Sequence, residues 1–317
     1  MAGLNVYAID AGTDTSKLGY SDNLSTRIIA RLDGFDPLSL REEAEIFCDE
    51  PVFSCVAAVN PGTHHENIRA KILASGFTEA EIIPAHEALI TALNYPGKVL
   101  VYDFGASGSR LVVLEGHEVL ESVIIPDVCG SGFDKAFAEY LAERRLLRSV
   151  NEAVIREARR IKHVLSEDEV LKWHGLEILR SDFERLIHFS VKRARHTADR
   201  LLRVHRPERF ILTGGCVKIP AVRKIFADMK PEIQEDVIIT GASLKARSVG
   251  RAARKTVNRT DTASKLKELR AGMIELEDKL TRKQKDRLYV LFRQAEGIND
   301  SGIIAIMENL IRDIRQA

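Results

Sequence analysis

Two aspartates, each at the end of an apolar run and just ahead of a glycine turn, are the groups best placed to do chemistry in this chain. Asp10-Ala-Gly-Thr-Asp-Thr-Ser-Lys-Leu18 recurs as Asp103-Phe-Gly-Ala-Ser-Gly-Ser-Arg-Leu111, both reading D-x-G-x-x-x-S-[KR]-L. Gly12 and Gly105 let the backbone bend until successive amides point at one spot, which makes an anion nest. A phosphate needs no carboxylate beside it, but a phosphate-bound Mg²⁺ does, and Asp10 and Asp103 supply one at each turn.

The elements that must position these groups follow from the pattern. Val6–Ile9 and Val99–Tyr102 are apolar runs ahead of the turns, and Leu18–Ser21 and Leu111–Glu115 follow them. Each copy is therefore strand, polar turn, strand, and the repeat predicts two related half-domains facing each other. Further strands are expected at Arg27–Ala30, Cys55–Asn60, Ile82-Ile83, Ser122–Ile125, Arg209–Leu212 and Asp236–Thr240. Helices are expected at His64–Ala74, His86–Tyr95, from Gly130, over Val150–Leu165, from a capping box at Ser181-Asp-Phe-Glu184 to Val204, at Val222–Met229 and at Ser243–Arg254.

From Lys255 the composition changes. Thr256–Thr262 reads as a polar linker. Leu266, Leu269, Met273, Leu276 and Leu280 then keep a 3-4-3-4 spacing. Thr281 should cap a second helix using Leu288, Leu291, Phe292 and Ala295, and Ile303, Met307, Leu310 and Ile314 mark a third. These helices form either a bundle that closes on itself or on the main domain, or a module for partner or self association.

Bulk properties exclude several classes. The 317 residues allow two domains, and 45% hydrophobic with 29% charged residues is ordinary for a soluble chain. A net charge of +1 argues against nucleic acid or an acidic membrane surface as general partner. Cys48, Cys55, Cys129 and Cys216 form no C-x-x-C pair, so neither a zinc site nor a disulfide framework is indicated. The nine histidines include no H-E-x-x-H. With no leader-like start and no run of transmembrane length, the expected location is the cytoplasm.

Over about residues 5–254 the chain resembles the actin and seventy-kilodalton heat-shock (DnaK-type) ATPase superfamily. Asp10–Lys17 and Val101–Leu114 are similar to its two phosphate motifs. Cys55–Asn60 followed by His86-Glu87-Ala-Leu-Ile-Thr-Ala-Leu-Asn-Tyr95 is similar to the chaperone "NEPTAAALAY" connecting helix and the segment before it. Lys162-His-Val-Leu-Ser166 resembles "KRTLS", and Leu212-Thr-Gly-Gly-Cys-Val-Lys-Ile-Pro220 resembles the adenosine motif "VGGSTRIP". The resemblance implies an α/β, two-lobed actin-like ATPase fold with ATP and Mg²⁺ in the cleft. The expected division is 1–124 with a return helix at 243–257 for the first lobe, 125–242 for the second, and 258–317 for the helical appendage.

It also implies residue roles. Asp10 and Asp103 would orient Mg²⁺ through its waters. Gly12, Thr13 and Asp14 would form one phosphate turn, and Gly105, Ser107 and Gly108 the other. Glu87 stands at the position of a water-orienting carboxylate and would be catalytic with the two aspartates. Gly130, Lys162, Ser166, Gly214, Gly215 and Lys218 complete the cofactor-binding set, Lys218 replacing an adenine-packing Arg. A solvated helix residue at Glu87 and surface charges at Lys162 and Lys218 are the plainer alternatives.

The departures narrow the expectation. Only 34 residues separate Ser21 from Val56, too few for the outer lobe that carries the chaperone phosphate lysine. Lys17, seven residues after Asp10, can supply the same charge. Ala106, Ser107 and Arg110 replace residues of the chaperone second turn, and no β-rich peptide-binding domain follows. The expected function is a minimal chaperone-like, slow Mg²⁺-dependent ATPase. It would act as a nucleotide-driven clamp on an unidentified protein partner, with the C-terminal helices as docking module. A filament-forming ATPase and a nucleotide-sensing scaffold with little hydrolysis are the alternatives.

Overall fold

The protein's structure is a computed structural model. It describes residues 6–21, 25–47, 54–60, 63–125, 127–145, 149–276, 280–281, 284–285, 288, 291–292 and 301–316. It is a mixed α/β molecule. Residues 5–247 group as one unit and 248–317 as another.

In the larger unit, β1 (Val6–Asp10), β2 (Thr15–Ser21) and β3 (Thr26–Asp33) form an antiparallel meander. β4 (Ser54–Val59) and β5 (Glu79–Pro84) extend it in parallel from β1, giving the order β3-β2-β1-β4-β5. α1 (Pro37–Phe47) and α2 (His65–Ala74) pack Leu40, Ala44 and Ile72 against Tyr7, Ile9, Leu18 and Ala57. All six β4 residues are buried, as expected of an inner strand paired in parallel on both edges.

α3 (Ala85–Leu93) leads to a second sheet that repeats the first. β6 (Lys98–Phe104), β7 (Ser109–Glu115) and β8 (Glu118–Ile125) are the meander. β11 (Arg209–Thr213) and β12 (Glu232–Ile233) add in parallel from β6, giving β12-β11-β6-β7-β8. Between them lie α4 (Gly130–Arg144), α5 (Glu152–Glu167), the hairpin β9 (Val170–Trp173) and β10 (Leu176–Leu179), and α6 (Arg180–His205). α7 (Pro220–Phe226) follows β11. Leu100, Tyr102 and Phe104 pack against Phe133, Phe137, Ile161 and Phe183 from these helices. β6, β7 and β8 hydrogen-bond into the sheet of β11 and β12, so the change of sheet falls within 85–97.

Several local expectations change for identifiable reasons. Asp236–Thr240 is not a strand, because α8 (Val237–Glu275) begins there. A Cβ on Gly241 would strike the Ala88 carbonyl of α3, so Gly241 marks a helix crossing that only glycine permits. α8 is helical through 256–262, where composition suggested a linker. α6 starts at Arg180, with Leu179 as a cap that makes no side-chain hydrogen bond, so the expected Ser181 capping box is not formed. α1 was missed although Asp36-Pro37 signals it: Asp36 accepts hydrogen bonds from the Leu38 amide (3.1 Å) and the Ser39 hydroxyl (2.7 Å). The β9–β10 turn was missed too; His174 and Gly175 both have positive φ, 47° and 81°.

In the smaller unit, Leu266, Leu269, Leu276, Leu280, Leu288, Phe292, Met307, Ile311 and Ile314 form one buried cluster with α9 (Ser301–Gln316). Thr281 makes the expected helix start: its amide and hydroxyl donate to Gln284 Oε1 (2.9 and 2.7 Å), and the Gln284 amide returns to Thr281 Oγ1 at 3.4 Å. Ala295 lies outside the described residues, and the side chains of Ile303 and Leu310 are likewise outside them.

Candidate functional site

Because the two sheets share one topology, both D-x-G turns leave the C-terminal end of a central strand, β1 or β6, and enter the next strand, β2 or β7. Both line a single cleft of about 190 Å³. One water needs only about 10–15 Å³, so the cleft has room for a multi-atom ligand. In the first turn the Gly12 amide donates to the Asp10 carbonyl at 2.9 Å and the Ser16 hydroxyl to the Gly12 carbonyl at 3.1 Å. A Cβ on Gly12 would collide with the Thr15 carbonyl. In the second, the Gly105 amide donates to Gly108 (3.1 Å), and the Gly130 and Ser131 amides at the start of α4 donate back to Gly105 (3.1 Å) and Ala106 (2.8 Å). The turns meet where the Thr13 and Ser107 hydroxyls lie 3.0 Å apart. Among the described residues, the Thr13, Ala106 and Ser107 amides have no backbone partner, so they can serve an anion.

Asp10 and Asp103 both line this cleft. Burial, then the negative charge of Asp10, pushes the Asp103 carboxyl up to about 6. Burial also raises Asp10, opposed by the Lys17 ammonium. Two carboxylates that repel each other in a poorly solvated place are short of positive charge. Among the described residues no group of three or more His, Cys, Asp or Glu side chains converges to hold a metal. A cation placed beside the pair would relieve this repulsion.

Lys17 is the cation beside Asp10, and the other basic groups nearby are paired to other carboxylates. Lys17 Nζ lies 3.4 Å from Asp10 Oδ2 and 3.4 Å from Asp236 Oδ1, and donates to the Glu235 carbonyl at 3.3 Å. Arg31 holds Asp236 bidentately at 2.8 and 2.7 Å. On α5, Lys162 Nζ is 2.6 Å from Asp134 Oδ1, with both residues deeply buried at 5% and 1% exposure. Arg159 joins the same Asp134 (3.1 Å) to Asp14 of the first turn (2.6 Å). His163, also in the wall, is held below its ordinary value by burial and then by Lys162.

One stretch of the cleft wall is built on glycine. Gly214 has φ +91°, and a Cβ there would lie 2.6 Å from the Phe104 carbonyl and 2.7 Å from Asp103 Oδ1. A Cβ on Gly215 would meet nothing within 4 Å, so this backbone borders open space. Lys218 borders the cleft with its side chain 56% exposed and 3.7 Å from Glu235.

Of the residues singled out from sequence, Asp10, Gly12, Thr13, Asp14, Lys17, Asp103, Gly105, Ser107, Gly130, Lys162, Ser166, Gly214, Gly215 and Lys218 line the cleft. Gly108 and Glu87 are not in its wall. Glu87 sits in the first turn of α3 and pairs with Lys245 of α8 at 2.8 Å. Lys162 is buried rather than surface charge, and it lines the cleft with its ammonium held by Asp134. Sequence reading passed over Arg31, Asn60, His163, Glu235 and Asp236, all in the wall. Asn60 and His163 lie inside recognised motifs. Arg31 carried no local signal, and Asp236 was read as part of a strand. No protein-family model matches the chain, and no curated protein matches it.

Proposed function

We propose that this protein binds a Mg²⁺–nucleoside triphosphate, ATP by the resemblance of its motifs, between two lobes of an actin-like or heat-shock-type fold. The observation that carries the reading is the convergence of both D-x-G turns, with the charge-strained pair Asp10 and Asp103, on one cleft. Duplicated sheet topology supports the two-lobed interpretation. Asp10 and Asp103 would hold the hydrated cation, which supplies positive charge against the phosphates. Lys17 and the Thr13, Ala106 and Ser107 amides would take phosphate oxygens, and Gly214 and Gly215 would let the ligand lie against backbone. Cys55, Cys129 and Cys216 are buried free thiols, which supports a reducing, cytoplasmic setting.

Ligand occupancy would act on the contacts that tie the two halves, Asp14–Arg159 and Thr13–Ser107 among them, and so drive a clamp on a protein partner. The engagement of Glu87 by Lys245 favours a second reading, a nucleotide-sensing scaffold with little hydrolysis. The first test is Mg²⁺-dependent ATP affinity in Asp10→Ala/Asp103→Ala. Loss of the Mg²⁺ dependence is expected, and an unchanged dependence refutes the reading. Single-turnover hydrolysis by the wild type separates slow ATPase from scaffold.

A further inference from the structure

Lys17 and Arg31 are direct cross-strand partners in the β2–β3 ladder. Two like charges placed opposite each other on a sheet destabilise it unless an anion lies between them. Here the anion is the Asp236 carboxylate, brought from more than two hundred positions along the chain. It sits just after β12, the edge strand of the second sheet, and just before α8. Arg31 donates to both of its oxygens at 2.8 and 2.7 Å, and Lys17 lies 3.4 Å from one of them. Lys17, Arg31, Glu235 and Asp236 all border the cleft that holds the D-x-G turns.

A guanidinium fork with an ammonium beside it suits two oxygens of a phosphate as well as two of a carboxylate. We propose that Arg31 joins Lys17 as a phosphate-binding pair, and that Asp236 occupies this pair as an internal carboxylate which a ligand's terminal phosphate displaces. The inference rests on the cleft being a nucleotide site. Around the pair, Asp10 faces Lys17, while Glu235 is turned to Arg223 (3.2 Å) and Lys218 (3.7 Å), so Asp236 is the acid that holds Arg31. Arg31 keeps Asp236 below the ordinary carboxylate range, so it is charged at neutral pH.

Two consequences follow. Asp236 is tethered, so it competes at high effective concentration and lowers apparent phosphate affinity. Displacing it also releases a contact between β2–β3 of the first sheet and the segment that joins β12 to α8. Phosphate occupancy is thereby linked to the start of that helix.

The test is calorimetric titration of the full-length protein with ATP, adenosine and inorganic tripolyphosphate, for wild type, Asp236→Asn, Arg31→Ala and the double variant. Charge-assisted contacts of this kind correspond to about tenfold or more in affinity. Asp236→Asn should bind ATP and tripolyphosphate about tenfold tighter, with adenosine unchanged. Arg31→Ala should bind both phosphates about tenfold more weakly, and most of the gain from Asp236→Asn should vanish in the double variant. In the wild type, amide exchange over 231–240 should accelerate when ATP is added, a measurement that does not depend on any variant folding. ATP binding by the wild type with no gain in Asp236→Asn, or with slower or unchanged exchange over 231–240, overturns this inference alone. No ATP binding by the wild type overturns the nucleotide reading itself, and the inference with it.

Discussion

Replacing Asp103 by Asn should stabilise the ligand-free protein, although Asp103 stands at the centre of the proposed site. Its carboxyl is pushed from an ordinary 3.8 to about 6, first by burial and then by Asp10. A raised acid binds its proton more tightly in the folded state than in the unfolded one. The stability it lends is fully present below pH 4 and is lost as pH rises through about 6. At about 1.4 kcal/mol per pH unit, the gap from 3.8 to about 6 sets an upper bound of about 3 kcal/mol. Asn keeps the shape without the charge, and it also relieves Asp10. In metal-free urea unfolding, Asp103→Asn should match the wild type near pH 4 and exceed it by up to about 3 kcal/mol at pH 7.5. Adding Mg²⁺ with ATP should reverse that order, because only the wild type gains binding free energy from the cation. Equal stability at pH 7.5, or a difference that persists undiminished at pH 4, would refute the reasoning.

Three further outcomes are expected. Gly214→Ala forces a Cβ against the Phe104 carbonyl and Asp103 at φ +91°, so chemical denaturation should show a loss of about 2 kcal/mol or more; an unchanged midpoint would contradict the geometry. Glu87→Gln breaks only the partly exposed pair with Lys245, so unfolding should register about 0.2–1 kcal/mol while single-turnover hydrolysis and ATP affinity stay as in the wild type. A drop in hydrolysis of about a hundredfold with binding intact would instead give Glu87 the water-positioning role implied by the resemblance. A chain ending at residue 257 should remain soluble and bind ATP, because the leucine stripe from Leu266 is buried among helices of its own unit; aggregation or lost binding would show that those helices complete the ATPase core.

Much of this protein was legible along the chain because local chemistry decides it. Apolar runs ahead of glycine turns placed β1 and β6, and the identical register of the two D-x-G patterns foretold two sheets of one topology. The 3-4-3-4 leucines and Thr281 read directly as a stripe and a helix start, since both are set by residues three or four apart. Gly12 and Gly214 were readable because only glycine tolerates those turns.

What escaped depended on partners distant in sequence. Asp236–Thr240 has the look of a strand, but α8 begins at Val237 and passes close to the Ala88 backbone of α3 at Gly241. Glu87 stands at a catalytic position by resemblance, and its pair with Lys245, 158 residues away, was not legible along the chain. Lys162 looks like a ligand contact or a surface charge, and burial beside Asp134 makes it half of an ion pair. Arg31 and Asp236 carry no motif at all, and the cleft acquires them only because β3 and the approach to α8 meet there. Spacing along the chain determined which residues could make turns, stripes and nests. Which charges share a low-dielectric space, and therefore which of them are free to act on a ligand, was decided only by the packing of segments far apart in sequence, because electrostatic interaction depends on distance and burial rather than on order along the chain.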